Sequence, residues 1–94
     1  MLYVMEWKVK DGCTEKAVNK FLDKGEPMPE ESKLIGRYHA PGSVNGWLIV
    51  ETENPTTLYY HALEWAELLH WNTTPVLTDE EAGATCASLW KVKN

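Results

Sequence analysis

The chain has 94 residues, which is enough for one domain with a single hydrophobic core but not for two. Hydrophobic residues make up 44% of it and charged residues 24%, a balance typical of folded globular proteins and not of disordered ones. The formal net charge of −5 argues against nucleic acid or an anionic membrane as a partner, because both attract clustered lysine and arginine. No apolar run approaches the ~20 residues of a membrane span and the N-terminus lacks a basic signal-peptide region, so we expect a cytoplasmic protein.

Cysteine and histidine are too sparse to indicate a disulfide framework or a metal site. Cys13 and Cys86 lack the CxxC spacing of zinc sites and are predicted to be free thiols. The three histidines show neither HxxH nor HxxxH spacing, and no acidic cluster accompanies them on one element. We therefore predict no metal and no cofactor.

The N-terminal part predicts a strand followed by a helix. Residues 2–10 alternate between two sets of side chains, which indicates a strand ending at the turn Asp11-Gly12. In residues 14–24 the apolar side chains fall at helical spacing, and Gly25 is a natural end for that helix.

A β-hairpin is predicted next. The connector 26–32 contains two prolines and is expected to be irregular. Residues 34–40 and 46–52 are rich in strand-forming side chains and are separated by a loop that contains proline and glycine. They therefore predict the second and third strands.

The second helix has the clearest start signal. Asn54 is a good N-cap, and Pro55 suits the first helical position. The apolar arc of this helix spans roughly 220°, wider than the ~100° that covers one sheet, with Tyr59 and Leu63 on one flank and His61 on the other. We expect the C-terminal segment, a partner subunit or a ligand to cover the excess.

The C-terminal part predicts one more strand and one more helix. The second helix is expected to reach Leu69, and residues 71–78 then indicate a weaker fourth strand. Thr78 and Glu81 form a capping box, which predicts a last helix over residues 79–90. The side chains expected to face inward from that helix are Ala82, Cys86, Leu89 and Trp90.

The predicted elements follow the order β-α-β-β-α-β with an extra C-terminal helix, and residues 1–94 form a single domain. This order predicts an α+β fold of the ferredoxin-like split βαβ type, in which a four-stranded antiparallel sheet carries its helices on one face. The first and third strands are apolar on both sides, so the uncovered face of the sheet is not built for water. We therefore predict a face-to-face homodimer.

Four segments of the chain resemble the small dimeric α+β-barrel proteins of the ferredoxin-like class. They are MLYV (1–4), GRYHAPG to GWLIVE (36–51), LEWAELLHW (63–71) and PVLTDEEA (75–82). Within that superfamily the chain is most similar to a bacterial domain-of-unknown-function group related to antibiotic-biosynthesis-monooxygenase-like proteins. The resemblance implies a dimer of two four-stranded sheets, with a pocket between sheet and helices in each subunit. The superfamily includes cofactor-independent monooxygenases and haem-degrading enzymes, so the fold alone does not choose a function.

Arg37 and His39 are candidates for the polar end of such a pocket. In either register of the hairpin they meet apolar residues of the third strand. In such surroundings a cation and an imidazole can hold a carboxylate or polarise a carbonyl. One alternative is a solvated strand face, with Arg37 and His39 turned to water. Another is a structural ion pair between Arg37 and Glu6, if Glu6 is buried.

Trp47, His61 and Trp65 are candidates for the ligand-binding walls. His61 and Trp65 stand one turn apart on the second helix and share one surface patch. A histidine there is also common as a satisfied interface residue, and His70 near the helix end has a simpler role in complementing the helix dipole. Haem is disfavoured, because the first strand has Glu6 and Trp7 where the haem-degrading branch has an asparagine.

The sequence thus predicts a small dimeric protein that binds an apolar molecule bearing a carbonyl or carboxylate, either fatty-acid-like or aromatic. Two alternatives stay open. One is a cofactor-independent monooxygenase-like enzyme in which His39 or His61 aids proton removal. The other is a structural dimer whose own tryptophans fill the cavity. Whether any reaction is catalysed is not decided by these residues.

Overall fold

The computed structural model describes residues 1–24 and 28–90, which form seven helices and strands. These are β1 (Leu2–Val9), α1 (Thr14–Lys24), β2 (Ser32–His39), β3 (Asn45–Thr52), α2 (Thr56–Trp65), β4 (Leu69–Val76) and α3 (Asp79–Trp90). The strands form one antiparallel sheet in the order β2-β3-β1-β4. This is the predicted ferredoxin-like α+β arrangement with its extra C-terminal helix. The predictions for Gly25 and for the start of the connector lie outside the described residues.

The hydrophobic core lies between one face of the sheet and the helices α1 and α2. Met5, Trp7 and Val9 of β1 are buried, and so are Leu48 and Val50 of the neighbouring β3. Alternate strand residues point to the same side, so these five side chains share one face. The remaining core residues are Ala17, Leu58, Trp65 and Leu69.

The other side of the sheet is less covered. We call it the open face, and it is formed by Leu2, Val4, Glu6, Lys8, Tyr38, Trp47 and Ile49. Val4 pairs with Ile49, while Trp47 pairs with Glu6 on one side and Tyr38 on the other. Val4, Trp47 and Ile49 are only half-buried, in contrast to the core residues of the same strands.

Trp7 packs directly over Gly46 on the helix side of the sheet. The two residues are opposite each other in the pairing of β1 with β3. A Cβ atom at position 46 would overlap the Trp7 indole ring and the backbone carbonyl oxygen of Tyr38. Glycine is therefore required here so that the indole can take its place in the core.

We expect Gly46→Ala to lower the free energy of unfolding by about 1–3 kcal/mol, because the added methyl group overpacks a filled region. Gly83→Ala is the matched control, since a Cβ at position 83 meets no atom within 4 Å. Gly83→Ala on exposed α3 should leave the free energy of unfolding unchanged or raise it by up to ~1 kcal/mol, because alanine has a higher helix propensity than glycine. Urea unfolding of the two variants measures the difference, and equal stabilities would contradict the packing argument.

The helix α2 ends at Trp65, earlier than the sequence predicts. Lys10 Nζ donates a hydrogen bond to the carbonyl oxygen of Ala66 at 2.7 Å, and Lys20 Nζ donates one to the carbonyl oxygen of Glu64. Carbonyl groups at a helix C-terminus lack intrahelical partners, and positive charge is favourable there. The two lysines therefore stabilise the point at which the helix ends and the chain turns toward β4.

His70 lies in β4 as a consequence, and not at a helix end. It pairs with Lys8 of β1 and is exposed. The predicted role of His70 in complementing the helix dipole is thus wrong, because Lys10 and Lys20 occupy that place.

The start of α3 confirms the predicted capping box. The backbone N–H of Glu81 donates to Thr78 Oγ1 at 3.2 Å, and the backbone N–H of Thr78 donates to Glu81 Oε1 at 3.1 Å. Two backbone donors at the helix N-terminus are satisfied by this reciprocal pair. The helix then runs to Trp90, as the sequence predicts.

The predicted inward face of α3 is wrong, because no residue of this helix is buried. Leu89 is 52% exposed and Trp90 is 62% exposed, while Cys86 is also exposed and Ala82 is half-buried. The physical reason lies in the sheet order: β4 is an edge strand, so the chain that follows it leaves the sheet at its margin.

The apolar flank of α2 is exposed in the described part of the chain. Tyr59 is 70% exposed and Leu63 is 59% exposed, whereas His61 on the other flank is buried.

Within residues 1–24 and 28–90, no helix is long and apolar enough to cross a membrane.

Candidate ligand-binding cavity

A cavity of about 280 Å³ lies between the sheet and the helices α1 and α2. Every helix and strand except α3 contributes to its wall, and the loop between β2 and β3 adds Ser43. Most of the wall is apolar and a few groups are polar, which is typical of small-molecule sites. The lining residues are Trp7, Val9, Ala17, Val18, Phe21, Leu22, Arg37, His39, Ser43, Leu48, His61, Trp65, Leu69 and Trp71.

A β-bulge in β2 brings Arg37 and His39 to this cavity. Leu34 pairs with Val50 and Gly36 pairs with the next residue of β3, so Ile35 is an extra residue in the ladder. An extra residue reverses which side chains face which side of the sheet. Beyond the bulge, Arg37 and His39 therefore lie on the helix side.

Arg37 and His39 form the mouth of the cavity and contact its aromatic wall. The Arg37 guanidinium lies over the Phe21 ring, 5.6 Å from the centroid. The His39 ring makes edge contacts with Trp7 and Phe21, at centroid distances of 5.5 and 5.4 Å. His39 is exposed and Arg37 is half-buried, so both can meet a ligand and solvent together.

The inner end of the cavity is shielded from bulk solvent, and its titratable side chain is His61. His61 is 1% exposed, and its ring makes an edge contact with Trp71 at a centroid distance of 5.7 Å. Burial, followed by the positive charges of Arg37 and Lys20, lowers the pKa of His61 to about 4. His61 is therefore neutral at neutral pH.

Trp71 forms part of the deep wall beside His61. Its Nε1 atom is buried and has no hydrogen-bond partner within the described part of the chain. A buried N–H group of this kind costs free energy when it is left unsatisfied. The indole of Trp71 therefore adds an unused donor to the inner end of the site.

Trp65 is the fourth aromatic residue of the wall. It is 4% exposed, and Lys20 Nζ lies over its ring at 4.5 Å from the centroid. This cation–π contact fixes a positive charge beside the cavity wall. Trp65 and His61 line the same cavity, as their spacing of one helical turn predicts.

Trp47 does not line this cavity, which corrects one of the sequence predictions. It pairs with Glu6 and Tyr38 on the open face, while the cavity lies on the helix side. The reason is the alternation of β3, which turns Leu48 inward and Trp47 outward. Glu6 and Arg37 likewise lie on opposite sides of the sheet.

Sequence reasoning missed three aromatic residues of the wall: Trp7, Phe21 and Trp71. Trp7 alternates with Met5 and Val9 in β1, and this pattern was a usable signal for its direction. Trp71 had no such signal, because its direction depends on where β4 begins.

One family matches the chain. The family described as Domain of unknown function (DUF3303) matches residues 1–89. The chain belongs to the DUF3303 family. Neither the curated proteins nor the solved structures gave a match. The function of this DUF3303 domain is therefore inferred from the residues of its cavity.

No metal centre accompanies the cavity of this DUF3303 domain within the described ranges. There, no three histidine, cysteine, aspartate or glutamate side chains cluster in a way that could hold a metal ion. Cys13 is a half-buried free thiol at the start of α1, and Cys86 is an exposed free thiol on α3.

The neutral state of His61 predicts a pH-dependent stability. The pKa is about 4 in the folded chain and 6.5 ordinarily, so between these values the unfolded chain binds more protons. Stability should fall as pH drops from 6.5 to 4, by at most about 3 kcal/mol, because each pKa unit corresponds to about 1.4 kcal/mol.

Urea unfolding of the wild type and of His61→Phe at pH 7, 5.5 and 4.5 isolates this contribution. The variant should lose less stability on acidification than the wild type. His70→Phe, at an exposed histidine, is the control and should follow the wild type. Parallel curves for wild type and His61→Phe would show that His61 protonates as easily in the folded chain as in the unfolded one.

Proposed function

We propose that this DUF3303 protein forms a homodimer in which each subunit binds a small apolar molecule with a carbonyl or carboxylate group. The observation that carries the proposal is the cavity itself: its aromatic wall ends at a mouth that contains Arg37 and His39. Apolar walls with a few placed polar groups bind the body of a ligand and fix its orientation.

The charge at the cavity supports an anionic or strongly polar acceptor group on the ligand. Arg37 lies over the Phe21 ring and Lys20 lies over the Trp65 ring, so two positive charges border the cavity, and its lining residues within the described part of the chain include no carboxylate. A guanidinium binds a carboxylate through charge-assisted hydrogen bonds, and its position at the mouth avoids the cost of deep burial.

The open face supports the homodimer. Val4, Trp47 and Ile49 present apolar surface there, while Glu6 and Lys8 supply both signs of charge on one strand. A two-fold axis matches the same surface with itself, so opposite charges on one face can pair across it. The chain's membership of the dimeric α+β-barrel superfamily, with antibiotic-biosynthesis-monooxygenase-like relatives, is part of this proposal. So is a cytoplasmic location.

A cofactor-independent monooxygenase-like enzyme is the second candidate. His61 favours it, because a neutral, buried imidazole beside the cavity can accept a proton from a bound hydroxyl group. However, a base with a pKa of about 4 is weak at neutral pH, and the most effective catalytic bases have pKa values near the operating pH. The binding function therefore has the stronger support.

A purely structural dimer has less support. In that case the tryptophans would fill the space between sheet and helices. The cavity of about 280 Å³ remains although Trp7, Trp65 and Trp71 all border it. The tryptophans therefore border the space without filling it, and the space opens to solvent at Arg37 and His39, where a ligand could enter.

Arg37→Met tests the binding function, because methionine keeps an apolar stem over Phe21 and removes the charge. We expect the affinity for a carboxylate probe, benzoate or octanoate, to fall at least tenfold, since a hydrogen bond to a charged group contributes about 1.5–3 kcal/mol. Isothermal titration calorimetry measures it, with Lys16→Met on the exposed side of α1 as the control for net charge. Equal affinities for both variants would show that Arg37 does not bind the carboxylate group.

Ile49→Glu tests the dimer, because it places a charge in the apolar part of the open face. We expect native mass spectrometry and sedimentation to show a dimer for the wild type and a monomer for the variant, since unpaired buried charge is costly. Asn19→Glu adds the same charge on exposed α1 and should remain dimeric. A monomeric wild type would refute the dimer and leave the cavity to be judged by the binding test.

A further inference from the structure

The cavity narrows the class of ligand. We propose that it binds a small single-ring aromatic acid that carries a second polar substituent, such as a hydroxybenzoate. The ring enters first, the substituent meets His61 at the floor, and the carboxylate stays at the mouth with Arg37 and His39. This inference rests on the proposed binding function and specifies the ligand within it.

The size of the cavity limits the ligand to a small molecule, and the chemistry of its walls then selects among small molecules. About 280 Å³ lies just below the usual range of ~300–1,000 Å³ for ligand pockets. It corresponds to the share of liquid volume of roughly nine water molecules. A ring with two substituents fits within such a space, and a tetrapyrrole does not.

The walls argue for an aromatic body. Trp7, Phe21, Trp65 and Trp71 come from four different elements, β1, α1, α2 and β4, and all border the cavity. Aromatic rings pack against each other in offset or edge-to-face geometry, with a gain beyond the area that they bury. Four rings that are already positioned therefore favour a flat, rigid guest over a flexible chain, which would lose more conformational freedom on binding.

The change in burial from mouth to floor sets the orientation. His39 is exposed and Arg37 is half-buried, whereas Leu48 and His61 are 2% and 1% exposed. An ionised carboxylate loses least solvation at the mouth, where a guanidinium and water are both available. The uncharged ring is then the part that reaches the buried inner end.

His61 gives the inner end its selectivity. Burial and the charges of Arg37 and Lys20 keep its imidazole neutral, so one ring nitrogen donates and the other accepts. A hydroxyl group can also donate or accept, so it suits this residue in either tautomer. A second carboxylate would lose its solvation at that depth, so a neutral substituent is selected.

Calorimetry with five probes tests the inference: 3-hydroxybenzoate, 4-hydroxybenzoate, benzoate, phenol and octanoate. We expect at least one hydroxybenzoate to bind most tightly. Benzoate should bind several-fold to about tenfold more weakly than that hydroxybenzoate, because it lacks the hydroxyl group that hydrogen-bonds to His61. Phenol should bind at least tenfold more weakly than the hydroxybenzoate, because it lacks the carboxylate that forms charge-assisted hydrogen bonds with Arg37. Octanoate should bind more weakly than benzoate.

His61→Phe should abolish the preference for hydroxybenzoate over benzoate while benzoate still binds, and His61→Gln should keep part of that preference. If octanoate binds as tightly as the hydroxybenzoates, or benzoate equals them, the aromatic hydroxy-acid class is wrong while the binding function stands. If no probe binds to the folded wild type, both proposals fail. The probe series on the wild type decides the ligand class even if a His61 variant does not fold.

Discussion

The bulge between Leu34 and Gly36 decides which side chains of β2 face the helices. Pairing with β3 continues on both sides of it, so the strand keeps its place in the sheet while its two faces exchange. Regular alternation from Leu34 would turn Tyr38 toward the core and Arg37 toward the open face. One inserted residue thus gives the cavity its charged mouth and leaves Tyr38 against Trp47 on the other side.

Lys20 links three parts of the structure through one charge. Its Nζ donates to the carbonyl oxygen of Glu64 near the end of α2, lies over the Trp65 ring, and contributes to the lowered pKa of His61. The end of a helix, an aromatic wall and the protonation state of a buried imidazole therefore depend on the same side chain. A lysine suits this position because its flexible stem carries a compact charge with three donors.

Apolar side chains are exposed or only half-buried on two sides of the part of the chain that the structure describes. The open face presents Trp47 and Ile49, and the helical side presents Tyr59 on α2 and Trp90 on α3. Small domains bury a limited fraction of their surface, so an exposed apolar face is a common site of association. The capping box at Thr78 makes α3 begin at a defined residue, although packing within the chain contributes little to this helix.

By itself the sequence determined the strands, the helices and their order, because alternation in β1, the helical spacing in α1 and the capping box of α3 are local signals. It also predicted Arg37, His39, His61 and Trp65 as ligand-binding residues. Only the tertiary structure decided which of them meet. The bulge in β2 brings Arg37 and His39 to the helix side, and the early end of α2, where distant lysines bind, lets β4 begin at Leu69 and places Trp71 inside the cavity. The alternation of β3 places Trp47 outside it once the helices cover one face. A shift of one residue reverses the faces of a strand, and no local pattern in β2 specifies such a shift.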